Sequence, residues 1–204
     1  MKRIAVLASG RGSNFQAILD ALARGEINGE CVALITDNRD AYAVERARAA
    51  GVPAVVVNFR DYPAKPAFEA DLLSALLKAK PDLVVCAGYM RIIGPEIIRA
   101  FAGRMINIHP ALLPAFPGLH GQRQALEYGV KVAGCTVHFV DEGLDSGPII
   151  LQKTVPVLDD DDEEALDARI LAQEHIAFPE AVALFCADRL MVSGRQVKIL
   201  PETP

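Results

Sequence analysis

No apolar run in this 204-residue chain approaches the roughly 20 residues that a membrane-spanning helix needs; stretches such as Leu83–Ala87 are far shorter. The basic start Met1-Lys-Arg leads into strand-like residues and then Ser9-Gly-Arg-Gly12, without the apolar core and cleavage site of a signal peptide. Cys31, Cys86, Cys135 and Cys186 form no Cys-x-x-Cys pair, and the first three lie in apolar, strand-like segments. Buried reduced thiols are expected, rather than disulfides or a metal site. Positive charge is in deficit: 21 Lys and Arg against 26 Asp and Glu leave a net charge of −5. That balance excludes a broad nucleic-acid footprint but leaves room for a local anion site. Repeats, low-complexity tracts and linkers are missing as well. With 51% hydrophobic and 23% charged residues, the chain buries enough surface to fold without staples. One soluble, cytoplasmic domain is expected.

The first hundred residues alternate between strand and helix patterns. Strands are expected at Arg3–Ala8, Cys31–Thr36, Val52–Val57 and Leu83–Ala87, with helices at Asn14–Arg24, Ala41–Ala50 and Phe68–Ala79. Strands apolar on both faces, separated by short helices, imply a parallel sheet covered on both sides. After Gly94-Pro95 a short helix leads to the strand Arg104–His109 and then to the loop Pro110–Gly121, whose length points to a functional segment. Lys131–Val140 and Pro148–Val157 read as strands of antiparallel or mixed pairing. Glu163–Ala177 reads as a helix with Leu166, Ile170 and Ile176 toward the core, interrupted at Pro179. Arg189–Lys198 reads as a hairpin turning at Ser193-Gly194. The fold class is α/β: an open, twisted, mostly parallel sheet with helices on both faces and mixed strands in the C-terminal half.

The first strand ends in Ser9-Gly-Arg-Gly-Ser-Asn14, and a helix opens at once. Free amides at a helix start, with the macrodipole behind them, favour an anion. Gly12 lets the main chain approach an oxygen, and Ser13 and Asn14 add donors of the kind that bind phosphate. Two other readings stay open at this point. Asp37, at the end of the second strand, falls where a ribose-binding acid of a dinucleotide site would be, although Phe15 stands where the third glycine is needed. The segment also fits a plain strand-to-helix turn capped by Ser13 or Asn14.

Asn107 and His109 are two apart on a strand, so they share a face with Cα atoms roughly 7 Å apart. An amide N–H and an imidazole aimed at one point suit a developing oxyanion, and the imidazole can also move a proton. Asp145, between two strands, could hold His109 protonated or accept a proton. The alternatives are a loop cap at His109 and a turn residue at Asp145. His138 reads as a structural strand residue near the site, and His120 as a loop residue near ligand. His175 lies on the long helix, facing the core or a pocket. The acidic run Asp159–Glu164 reads as a helix start.

The segments Gly12-Ser-Asn14, Ala87-Gly-Tyr-Met-Arg91, Asn107-Ile-His-Pro-Ala-Leu-Leu-Pro114 and Asp145-Ser-Gly-Pro148 resemble the phosphoribosylglycinamide formyltransferases, along essentially the whole chain. The resemblance implies transfer of the formyl group of 10-formyltetrahydrofolate to the amine of glycinamide ribonucleotide in purine synthesis, without metal or NAD. It implies Asn107, His109 and Asp145 as the catalytic trio, Gly12, Ser13 and Asn14 as the phosphate loop, and Glu174 near the substrate ribose. Met90, Arg91 and Ile92, with Asn107, match the folate-binding residues, and Lys65 stands where an Arg borders the folate tail. A single domain 1–204 is implied, its residues 1–100 serving the substrate phosphate and 101–204 catalysis and folate, as a monomer or homodimer without nucleic-acid or membrane partners. Gln122 and Leu171 depart from the pattern, which touches substrate contacts rather than the reaction. Two relatives using the same donor compete: a formyltetrahydrofolate hydrolase, expected to carry an extra N-terminal domain, and methionyl-tRNA formyltransferase, expected to carry a C-terminal one and a basic surface.

Overall fold

In a computed structural model, which describes residues 1–202, the chain divides into two compact units, Met1–Ile106 and the part from Asn107 onward. In the first, strand β1 (Lys2–Leu7) buries Ile4, Ala5, Val6 and Leu7 completely. A strand apolar on both faces needs cover on both faces and neighbours at both edges. Its neighbours are β2 (Gly29–Thr36) and, on the other side, β4 (Leu83–Cys86), both parallel to it. β3 (Ala54–Val56) pairs in parallel with β2. Helices α1 (Ser13–Ala23), α2 (Ala43–Ala49), α3 (Lys65–Ala79) and α4 (Pro95–Ala100) connect these strands. α3 buries Phe68, Leu72 and Leu76, spaced one turn apart, as an amphipathic helix should. From β1 the chain steps outward to β2 and β3, then returns to place β4 on the opposite side of β1. Such a reversal leaves the loops after β1 and β4 diverging, and ligands of open α/β sheets bind at that place.

Strand β5 (Met105–His109) contains the division between the units. In the second unit, β6 (Val132–Phe139) and β7 (Ile149–Pro156) pair antiparallel, and α6 (Glu163–Cys186) packs on both. α5 (Gly121–Tyr128) precedes β6, and β8 (Leu190–Ser193) with β9 (Gln196–Ile199) forms a separate hairpin. The α/β class, the mostly parallel sheet and the antiparallel strands near the C-terminus match expectation. All four cysteines are free thiols. Burial pushes the Cys31 and Cys86 thiols up to about 12. No helix among the described residues is long and apolar enough to cross a membrane.

Four expectations are corrected. β3, at the edge of the sheet, is exposed rather than buried on both faces. α5 was not foreseen; it starts where the irregular chain 110–120 ends. α6 runs through Pro179 unbroken. Proline removes one helical N–H, but Ala177, Phe178, Ala181 and Val182 around it are fully buried, and that packing outweighs the lost bond. Ile176 is 53% exposed rather than in the core. The buried stripe is Leu166, Ile170, Glu174, Ala177 and Ala181; six residues beyond Ile170 the helix has turned about 240° past it. The acidic run does begin α6: the Asp162 carboxylate accepts from the Ala165 N–H, with Glu163 and Glu164 in the first turn. Ile170→Ala is therefore expected to cost about 2–5 kcal/mol and Ile176→Ala within about 0.5 kcal/mol, measured by urea unfolding; similar losses would contradict this packing.

Candidate active site

The second unit brings three of the expected residues together around a histidine that sequence reasoning had given only a structural role. Asn107 and His109 stand at the C-terminal end of β5, and His109 is 4% exposed. The His109 Nε2–H donates to the Phe116 carbonyl at 2.8 Å, an oxygen that can only accept, and Nδ1 lies 3.5 Å from the Asp145 carboxylate. Both ring nitrogens thus face oxygen acceptors. The Asp145 Oδ2 also accepts from the Gly118 N–H at 2.8 Å. Asp145 adopts a left-handed backbone (φ 48°), which Asp tolerates better than most residues.

His138 joins the group from β6. Its Nδ1 lies 2.8 Å from the Phe139 carbonyl, so the proton of the neutral ring sits on Nδ1. The Nε2 lone pair then accepts from the Asn107 Nδ2–H at 3.2 Å, and Asp145 Oδ1 is 3.8 Å away. The Asn107 amide is thereby oriented, with its second Nδ2–H left for another acceptor. The β6–β7 pairing slips at His138, skipping Ile150, and such a bulge re-aims a side chain. Burial holds His138 below the usual histidine range; the Phe139 carbonyl and Asp145 oppose that shift, and His109 adds to it.

The irregular segment 110–120 is stapled from below. Thr136 Oγ1 accepts from the Leu113 N–H and donates to the Ala111 carbonyl, while Gln152 Nε2 donates to the Leu113 carbonyl and to Thr136 Oγ1. These bonds hold the strand-proximal part of the loop and so present Phe116 to His109. Gly147 closes the loop carrying Asp145: a Cβ there would sit 1.8 Å from the Phe139 carbonyl oxygen. Gln122 Nε2 donates to Asp167 at 2.6 Å. Glu174 is buried on α6, and its charge, after burial, helps push the Cys135 thiol up to about 12.

In the first unit, the glycine loop has its carbonyls turned away and engaged. Ser9 O accepts from Asn38 Nδ2, Gly10 O from the Ala43 N–H, and Arg11 O from Arg46 Nε. A helix start leaves its first-turn amides outside the intrahelical ladder. Gly12 itself is the N-cap, in a left-handed conformation (φ 68°), and a Cβ on it would lie 2.8 Å from that of Ala43. The N-cap position falls to Gly12, which has no side chain to cap with, rather than to Ser13 or Asn14. Asp37 is paired with Arg91 rather than presented for a ribose, which removes the dinucleotide reading. Met90 and Ile92 are exposed, and Lys65 at the start of α3 pairs with Glu69 at 3.3 Å. Among the described residues no three His, Cys, Asp or Glu side chains are grouped to hold a metal ion.

His138 gives a pH signature. Above about pH 6.5 neither the folded nor the unfolded chain protonates it. Below that, the unfolded chain takes up a proton that the folded state resists, so stability falls with pH. Urea midpoints between pH 8 and 5 should decline, and His138→Gln should remove part of that decline; parallel curves for the two proteins would refute the assignment.

Residues 2–182 match the formyl transferase family. The chain is 49% identical to phosphoribosylglycinamide formyltransferase from Mycobacterium tuberculosis, over 95% of this chain and 89% of that protein. It is 46% identical to the trifunctional purine biosynthetic protein adenosine-3 of Drosophila melanogaster, covering 94% of itself but only 14% of that longer protein. The structure superposes on glycinamide ribonucleotide transformylase 1 from Symbiobacterium toebii with a TM-score of 0.96 at 55% identity, over 98% of this chain and 95% of that one. The chain therefore belongs to the formyl transferase family and, within it, to the phosphoribosylglycinamide formyltransferases.

Proposed function

We propose that this protein transfers the formyl group of 10-formyltetrahydrofolate to the amine of glycinamide ribonucleotide, giving formylglycinamide ribonucleotide and tetrahydrofolate. The observation that carries the reading is His109, buried between the Asp145 carboxylate and the Phe116 carbonyl beside an oriented Asn107 amide. As the substrate amine attacks the formyl carbon, charge builds on the formyl oxygen. The His109 Nε2–H, now held by a neutral carbonyl, would donate to that stronger acceptor together with the free N–H of Asn107. Asp145 would stabilise the imidazolium and take up the proton lost by the amine, directly or through water. The bond from the formyl carbon to folate N10 then breaks, and N10 leaves with a proton. The formyl carbon keeps its oxidation level, so no electrons are exchanged.

Gly12, Ser13 and Asn14 would hold the ribonucleotide phosphate, and Glu174 would lie near the ribose. Lys65, Met90, Arg91 and Ile92 would serve the folate. These roles rest on the left-handed Gly12 at the start of α1 and on the exposure of Met90 and Ile92. The working form is a monomer or homodimer in the cytoplasm.

Purified protein should release tetrahydrofolate from 10-formyltetrahydrofolate only when glycinamide ribonucleotide is present; equal release without it would instead identify a hydrolase. His109→Ala and Asp145→Ala should keep the wild-type circular dichroism and lose about 10²–10³-fold in kcat. Wild-type turnover in either would discard the catalytic assignment.

A further inference from the structure

Asp37 is a buried acid for which the proposed chemistry has no use. Its side chain is 5% exposed, at the C-terminal end of β2. Oδ2 accepts from Arg91 Nε at 2.5 Å, while Oδ1 is buried without a hydrogen-bond partner among the described residues. A carboxylate taken this far out of water is stabilised chiefly by its ion pair, and removing one partner leaves the other charge stranded. The Arg91 guanidinium is fixed from a second direction as well: it stacks on the Phe59 ring, 3.6 Å from the centroid, with Phe68 at 5.9 Å. Such a side chain is not a mobile cation waiting for an anionic ligand. It is a tether.

What it tethers is the loop after β4, one of the two loops that diverge at the strand-order reversal. The same loop is tied at two further points by Ser9: the Ser9 N–H donates to the Gly88 carbonyl, and Ser9 Oγ accepts from the Met90 N–H at 3.0 Å. Asn38, the neighbour of Asp37, in turn holds the Ser9 carbonyl. Residues 37 and 38 therefore brace Arg91 and Ser9 from the end of β2. The braced segment presents Met90 at 69% and Ile92 at 73% exposure, two large apolar side chains held at the surface on either side of Arg91. Nearby, Tyr89 keeps its hydroxyl buried and unpartnered among the described residues. Burial first, then the Asp37 charge, pushes that phenol upward, so it stays protonated.

We infer that Asp37 is a positioning residue for the folate co-substrate: through its ion pair with Arg91 it holds the Met90–Ile92 segment in the shape that receives the pterin-bearing ligand. This rests on the proposed function for the identity of the ligand, but its anchoring part does not. Loss of the anchor costs folate affinity because a misplaced contact surface binds poorly even when every contact residue is present.

The test compares wild type, Asp37→Asn and Asp37→Glu by calorimetric titration with tetrahydrofolate and, separately, with glycinamide ribonucleotide. Amide exchange is followed over residues 87–92. Asp37→Asn should weaken tetrahydrofolate binding about tenfold and speed exchange in the segment, with ribonucleotide affinity within about twofold of wild type. Asp37→Glu, which keeps the charge, should recover part of the loss. Unchanged tetrahydrofolate affinity in Asp37→Asn, or equal weakening of both ligands, would overturn the inference, the latter by revealing a merely structural role. Wild-type protein that binds tetrahydrofolate yet transfers no formyl group would fail the proposed function while leaving the Asp37 comparison intact. Wild-type protein that binds no tetrahydrofolate would overturn both.

Discussion

A buried imidazole whose two nitrogens both face oxygen is the contact on which the proposed chemistry depends. Burial alone would favour the neutral ring, because charge is costly away from water. His109 faces a carboxylate at Nδ1 and a carbonyl at Nε2, while burial holds His138, one strand away, below the usual histidine range. Two histidines are thus placed differently: one lies between two oxygen acceptors, and the other accepts a hydrogen bond from Asn107 and so aims its amide. Their different surroundings make that division, since the side chains are identical.

The backbone around this pocket is shaped to serve it. Asp145 sits in a left-handed conformation, Gly147 allows the chain to pass within contact of the Phe139 carbonyl, and a bulge at His138 turns its ring. Thr136 and Gln152 contribute no chemistry of their own, but they fix the segment whose Phe116 carbonyl faces His109. In the first unit Asn38, Ala43 and Arg46 engage the carbonyls of the glycine loop. Asp37, next to Asn38, restrains the adjoining loop through Arg91.

Much of the fold was legible because its signals are local. Ile4–Leu7 and Leu83–Cys86 are apolar on both faces, which only a covered parallel strand satisfies, and the helix residues Phe68, Leu72 and Leu76 repeat at one turn. The errors arose where a local rule met a tertiary one. Pro179 should break a helix, yet fully buried neighbours hold it; Ile176 is apolar, yet the helix phase turns it outward; Val55 and Val56 favour a strand, yet nothing pairs beyond them. In the site, Asn107 and His109 were visible from a two-residue spacing on one strand. His138 was visible only as a strand residue near the site, because its contact with Asn107 runs across strands, and Phe116 was not visible, because a main-chain carbonyl carries no side-chain signature.

By itself the order of residues determined the alternation of strands and helices, the glycine loop at the start of α1 and the chemical types assembled for an acyl-group transfer. Only the tertiary structure decided which partner each ring nitrogen of His109 and His138 meets, that Asp37 pairs with Arg91, and which apolar residues face water. Hydrophobic period and turn chemistry are read within a few residues of chain. Protonation, pairing and exposure depend on groups brought together from distant positions, and those distances exist only once the chain has folded.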